Sequence, residues 1–292
     1  MKLQKIVLLV IWAMLFTGFG QHADAISSPQ NVEKKIKVAC VGNSVTRGYL
    51  LSNPEQDSYP SQLQRLLGDD YEVQNFGHSG ATLLTKGHRP YMEMPEYPEA
   101  LKFDADIIII HLGLNDTDPR NWPNYRDEFV PDYMALIDSF RTHNFSNPQV
   151  FVCKMTPIFN AHPRFKSGTR DWFWQIQDAI EQVAKNSKTG LIDLHPALYG
   201  RPELFPDALH PNVEGAGILA QTVYENITGD FGGLSLAPVF MNHMVLQQKQ
   251  PIPVWGTANR GTKLTLTFAG QKRSCTANEH GEWSVTFDAV AA

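Results

Sequence analysis

As far as about residue 228, apolar residues follow two alternating patterns along the chain. Short runs rich in β-branched residues predict strands over 36–41, 71–75, 106–112, 149–155 and 190–194. Between them, apolar positions recurring every three or four residues predict helices over 59–67, 126–143, 170–187 and 213–226. The first helix carries Leu63, Leu66 and Leu67 and is closed by Gly68. The third has Trp174, Ile176, Ile180 and Val183 on its core face. Pro211 sits near the first turn of the last helix, where a missing N–H is tolerated. The consecutive isoleucines Ile107 to Ile110 fit a strand covered on both faces. Strands alternating with helices imply an α/β architecture, a parallel sheet with helices on both faces. The stretch 85–100, rich in Pro, Tyr and Glu, shows neither period and is expected to be irregular, a lid or a rim.

Beyond Leu236 the helical period disappears. Val239-Phe240 and the runs 253–255, 263–268 and 283–287 read as short strands separated by glycine-bearing turns. Residues 263–268 alternate with period two. This is the opening of a β-sandwich with too few strands to close it, so a truncated all-β C-terminal segment is expected over 234–292, after an α/β domain over 35–228.

Composition changes this picture little. The 292 residues are 42% hydrophobic and 19% charged, ordinary for a globular chain able to build a large core. The formal charge is -5 with no Lys/Arg cluster, so no nucleic-acid partner is expected. The N-terminus adds more. Lys2 and Lys5 precede an apolar run over 6–16, and Ala23-Asp24-Ala25 follows, which is the pattern of a signal peptide over 1–25 cleaved after Ala25. The run is shorter than the ~20 residues that span a bilayer, and no cysteine stands directly after the cleavage point, so no lipid attachment is expected. A secreted or periplasmic protein with no membrane attachment after cleavage is therefore expected. Cys40, Cys153 and Cys275 are odd in number and lie mostly in strand-like runs, which suggests buried thiols.

The run 36–41 ends in Gly42-Asn43-Ser44, with Gly48 shortly after. In an open α/β sheet ligands bind at the carboxyl ends of strands, so Ser44 is a candidate nucleophile. Serine chemistry also needs a base, a group to orient it and donors for an oxyanion. Asp207-Ala208-Leu209-His210 supplies a carboxylate and an imidazole in one turn. The donors would be the Ser44 backbone N–H, the Gly80 N–H and the Asn115 amide. Each segment has a plain alternative: a turn, a helix cap, a loop glycine. Asp193 and His195 form a rival pair that would point to opposite strand faces. Ser79 is a rival nucleophile whose Gly-His-Ser-Gly context lacks the G-x-S-x-G spacing. Cys40 falls in mid-strand. His78, His88 and His111 lack metal-ligand spacing, and no cofactor or metal is expected. Trp122, Trp172 and Trp174 are candidates for a sugar-stacking surface, with Trp174 assigned more readily to the core.

Taken together, Gly42-Asn43-Ser44, Asn75-Phe76-Gly77-His78-Ser79-Gly80, Gly113-Leu114-Asn115-Asp116 and Asp207-Ala208-Leu209-His210-Pro211-Asn212 resemble, in order and placement, the SGNH or GDSL-like hydrolases. The resemblance covers about 35–226. It implies a flavodoxin-like three-layer α/β/α sandwich with no metal, Ser44 as nucleophile, His210 as base, Asp207 as its partner, and Gly80 and Asn115 as oxyanion donors. Asn43 departs from the family's usual Asp and is expected to fix the loop. In the tail, 236–248 followed by Pro251-Ile252-Pro253-Val254-Trp255-Gly256 resembles the opening of sialate O-acetylesterases, whose own catalytic core lies further downstream. The two resemblances imply an extracytoplasmic serine esterase that removes O-acetyl groups from carbohydrate, a sialic acid or an acetylated glycan, through an acyl-serine. The alternatives are a lipase or thioesterase of the same fold, disfavoured by the polar 85–100 stretch, and a non-catalytic glycan-binding module, disfavoured by the intact Ser-His-Asp set.

Overall fold

The structure is a computed structural model that describes residues 34–163 and 169–290. The expected signal peptide lies outside the described residues. At the centre is a five-stranded sheet of β1 (Ile36–Gly42), β2 (Tyr71–Gly77), β3 (Ile107–His111), β4 (Gln149–Lys154) and β5 (Gly190–Asp193), in the order β2-β1-β3-β4-β5. Every neighbouring pair is parallel. This is the flavodoxin-like order, with its switch point between β1 and β3. The chain crosses one way from β1 to β2 and the other way from β2 onward. Right-handed crossovers therefore place helices on both faces. Tyr59–Leu67 packs against Val213–Thr228 on one face, and Phe129–His143 against Thr169–Ser187 on the other. The register sets Gly42 opposite both Gly77 and His111, so three strand tips end at one level.

Ile108, Ile109 and Ile110 are fully buried, as expected of a strand covered on both faces. The pattern over 170–187 needs one correction. The core face is Phe173, Ile176, Ile180 and Val183, and Trp174 lies 48% exposed beside it. The 85–100 stretch is also more ordered than expected. A 3-10 turn at Tyr91–Glu93 leads into a helix at Glu96–Phe103, which buries Ala100 and Phe103. Pro95 and Pro98 masked this helix in the sequence, but they sit at its cap and first turn, where no N–H is required.

The C-terminal strands are β6 (Ser235–Leu236), β7 (Ile252–Thr257), β8 (Lys263–Phe268), β9 (Gln271–Thr276) and β10 (Glu282–Phe287). They form an antiparallel β10-β7-β6 sheet and a β8-β9 hairpin. Two small clusters fill the space between them, one around Leu264 and Trp283, the other around Ile252, Val285 and Phe287. Val239-Phe240 is a turn and not a strand: Phe240 N–H donates to Ala237 O. Strand β9 escaped the sequence reading because Gln, Lys, Arg and Ser dominate it. Asn259 Oδ1 accepts from Phe231 and Gly233 N–H at 2.9 Å each, which ties the tail to the segment leaving Val213–Thr228. Among the described residues no helix is long and apolar enough to cross a membrane.

Candidate active site

The site begins where β1 and β2 end in glycine. A Cβ on Gly42 would overlap the Thr46 hydroxyl, and one on Gly77 would overlap the Arg47 backbone nitrogen. Without side chains, the two tips let a one-turn helix, Ser44–Arg47, settle directly on them. Asn43 caps this turn, its Oδ1 accepting from Val45 N–H at 3.0 Å. The family's usual Asp position is thus occupied by a buried cap. Ser44 is the first residue of the turn, so its N–H has no intrahelical acceptor.

The partner of Ser44 arrives from the loop before Val213–Thr228. Asp207 Oδ1 accepts from Leu209 N–H at 3.1 Å and from His210 N–H at 2.7 Å, which folds the turn tightly. Ala208 takes φ +65°, a left-handed conformation costly for a residue with a Cβ. The tightness leaves Asp207 Oδ2 2.6 Å from His210 Nδ1. Because a carboxylate can only accept, Nδ1 carries the proton and Nε2 is an acceptor. Nε2 lies 2.8 Å from Ser44 Oγ, which donates to it. Ser44 and His210 are 166 positions apart in the chain and each is 8% exposed. Partial burial opposes ionisation of Asp207, but the hydrogen bonds from the His210 ring and from the His210 and Leu209 N–H groups outweigh it and hold the carboxyl below its ordinary value.

Gly80 and Asn115 line the same cleft, of about 280 Å³, with Ser44, Ser79 and His210. Among the described residues Gly80 N–H donates to no protein acceptor. Asn115 Nδ2 donates to Ala81 O at 2.9 Å, tying the loop after β3 to the loop after β2. Asp116 reinforces this tie. It is fully buried, and its two oxygens accept from Leu83 and Leu84 N–H at 2.9 Å each. Burial pushes its pKa up to about 7 in spite of those hydrogen bonds. Asn121 Nδ2 donates to Asn115 O at 2.8 Å, completing the brace.

The structure therefore brings Ser44, Gly80, Asn115 and His210 to one cleft, with Asp207 hydrogen-bonded to His210. Tyr49, Arg89 and Leu209 complete its lining. The Tyr49 ring lies 4.9 Å from the His210 ring. Arg89 Nη1 donates to Ser79 O at 2.9 Å, directly over Gly80. The sequence reading missed Tyr49, Arg89 and Asp116. Only Arg89 carried a signal, through its place in the stretch read as a rim.

Of the rivals, Ser79 lines the same cleft, but the His210 Nε2 partner is Ser44 Oγ; the others are placed elsewhere. His195 N–H donates to Asp193 Oδ1 at 3.0 Å, while its ring stacks on Tyr199. Cys40 and Cys153 are buried. Burial pushes the Cys40 thiol up to about 12, with a hydrogen bond to Tyr59 opposing, and raises Cys153 as well. Neither is poised as a thiolate. His78 pairs with Glu96, His88 with Asn121, and His111 is buried in the core. Trp122 is buried, donating to Gln175.

Known proteins carry related patterns. An acetylxylan esterase from Xylanibacter ruminicola is 33% identical over 235 residues, 72% of this chain. The chain spans about half the length of that relative, 46%. A carbohydrate acetylesterase from Sinorhizobium meliloti shares the fold with a TM-score of 0.54 at 19% identity, over 66% of this chain and 99% of that one. An acetyl xylan esterase structure aligns with a TM-score of 0.52 at 20% identity, over 66% of this chain and 100% of the other. At such identities the two structures speak for the fold. Residues 40–218 match the GDSL-like lipase/acylhydrolase family, a span that takes in both the Ser44 turn and the Asp207–His210 turn and more than half of the sequence. On that match, the chain belongs to the GDSL-like lipase/acylhydrolase family.

Proposed function

We propose that this chain is a serine esterase that removes O-acetyl groups from carbohydrate outside the cytoplasm. The observation that carries the reading is the unbroken hydrogen-bonded line Ser44 Oγ–His210 Nε2, His210 Nδ1–Asp207 Oδ2, at 2.8 and 2.6 Å. Ser44 Oγ attacks the acetyl carbonyl carbon while His210 Nε2 takes its proton. The carbonyl oxygen gains the charge, and the Ser44 and Gly80 N–H groups and the Asn115 amide receive it. The sugar oxygen then leaves with the proton from His210, and acetyl remains on Ser44. Water attacks that ester, its proton passes to His210 and on to Ser44 Oγ, and acetate departs. Asp207 holds the imidazole's tautomer and offsets its transient charge.

The cleft supports a short acyl group. It is small, and among the described residues Leu209 is the sole aliphatic side chain lining it, which offers a fatty acyl chain little apolar surface. A lipase reading is weaker for that reason. The alcohol side follows from the relatives: acetylated xylan from the 33%-identical esterase, and O-acetylated sialic acid from the tail motif. Export follows from the N-terminal pattern, with Ile26 as the first mature residue.

The test measures acetate released from acetylated xylan and from O-acetylated sialic acid, alongside labelling with a serine-directed fluorophosphonate. We expect release from at least one substrate, label on the peptide containing Ser44, and neither in Ser44→Ala. Release that persists in Ser44→Ala, or label on another residue, would overturn the reading.

A further inference from the structure

A second and larger cavity, of about 740 Å³, is bounded by Phe159, Phe173, Trp174, His195, Tyr199 and Pro202. Phe159 links it to the turn that carries Asp207 and His210. Its N–H donates to Ala208 O at 2.9 Å, between Asp207 and Leu209, and its ring packs on Phe205 with centroids 5.0 Å apart. Phe159 also lines the cavity. The far wall is aromatic. Trp174, His195 and Tyr199 form a continuous set, with centroids 5.2 Å apart between Trp174 and His195 and 4.9 Å apart between His195 and Tyr199. Trp174 is 48% exposed and Tyr199 63% exposed, so both rings present open faces. Burial lowers the His195 pKa, with Asp193 opposing, so the wall favours a neutral imidazole. At the rim, Arg170 donates to Asn160 Oδ1 at 2.7 Å.

We propose that this cavity is a glycan subsite, in which one pyranose of a neutral sugar chain lies against Trp174 and Tyr199 while the acetylated unit sits at Ser44. The reading rests on the proposed esterase activity for its second half, and stands on its own for its first. Three features select this ligand. The volume falls in the range of small-molecule sites, which run from about 300 to 1,000 Å³. Aromatic faces with polar groups at the rim suit a ring that is apolar on its C–H faces and polar around its edge. Phe159 lines the cavity and donates to Ala208 O, inside the turn that carries Asp207 and His210, so the subsite neighbours the catalytic turn. A fatty acyl chain would want an aliphatic lining, and an anion would want a cation aimed at it; Arg170 is instead engaged with Asn160.

Two measurements test the proposal. The first compares kcat/KM on an acetylated methyl xyloside, on acetylated xylotetraose and on 4-nitrophenyl acetate. We expect the tetraose to exceed the monosaccharide by roughly tenfold in the wild type. Trp174→Ala and Tyr199→Ala should each erase most of that gain while leaving 4-nitrophenyl acetate turnover within about twofold, and Trp174→Phe should retain much of it. The second is calorimetric binding of unacetylated xylotetraose, cellotetraose and mannotetraose to Ser44→Ala, where binding to at least one is expected and should be lost on adding Trp174→Ala. No binding of any tetraose, or a Trp174→Ala loss equal on 4-nitrophenyl acetate and on tetraose, would overturn the subsite. Binding without acetate release in the wild type would uphold the subsite and remove the esterase reading instead.

Discussion

The cleft at Ser44 and the cavity at Trp174 are linked through the hydrogen bond from Phe159 N–H to Ala208 O, yet they are built in opposite ways. Around the cleft the polar side chains are tied: Asn43 caps a turn, Asp207 accepts three hydrogen bonds, Asn115 is held through Ala81 and Asn121. In the cavity the rings are half exposed and held mainly by contact with one another. The difference teaches what each task needs. Proton transfer and oxyanion binding depend on atoms placed to fractions of an ångström, which hydrogen-bond networks provide. Holding a sugar ring depends on accessible area, which open aromatic faces provide.

Changes on the tied side should therefore cost far more than changes on the open side. Asp207→Asn should cost the most of the conservative substitutions. An amide opposite Nδ1 favours the wrong tautomer, and kcat should fall by about 10⁴ in steady-state assays on 4-nitrophenyl acetate. If Asp207→Asn cost no more than Trp174→Ala, the contrast between the two regions would be lost. Asn115→Ala should lower kcat by roughly 10² to 10³ with little change in KM. An effect confined to KM would move Asn115 to the binding side.

Asp116 sharpens the comparison through stability. Its pKa is raised to about 7 in the fold from an ordinary 3.8, so its contribution is greatest in acid and is lost as pH rises from about 4 to 7. Asp116→Asn sets an amide N–H₂ against a backbone N–H and should cost roughly 1–3 kcal/mol at low pH. Relative to wild type, the variant's melting temperature should recover as pH climbs through that window. His111 has the opposite sign. Burial lowers its pKa to about 4 from 6.5, so its contribution is present above 6.5 and is lost as pH falls toward 4. His111→Leu should gain on wild type as the solution is acidified, in the same melting experiment. The smallest effect is expected at Ala208. Glycine relieves the left-handed strain but adds freedom to the unfolded chain, so Ala208→Gly should shift stability by less than about 1 kcal/mol in a denaturant titration and leave kcat within about twofold.

Much of the fold was legible because strands buried on both faces and amphipathic helices leave strong periods. The run at Ile107–His111 and the helix at Phe129–His143 are examples. Glu96–Phe103 was not legible, because its prolines read as breakers although they fall where a helix tolerates them. Trp174 was misassigned because it sits one position from Phe173, and a hydrophobic count cannot tell which of two adjacent aromatics faces inward. The five candidate residues were legible as motifs at strand ends, whereas Asp116 was hidden: as a residue type it is as common in turns as in clamps.

Local pattern was enough for the alternation of strands and helices, the strand-tip placement of Ser44 and the pairing of Asp207 with His210, because each depends on neighbours within a few positions. Only the folded chain could bring Ser44 Oγ to His210 Nε2 across 166 positions, set Arg89 over Gly80 and open Trp174 toward Tyr199. Those relations come from strand order and crossover hand, which act between segments that no periodicity connects.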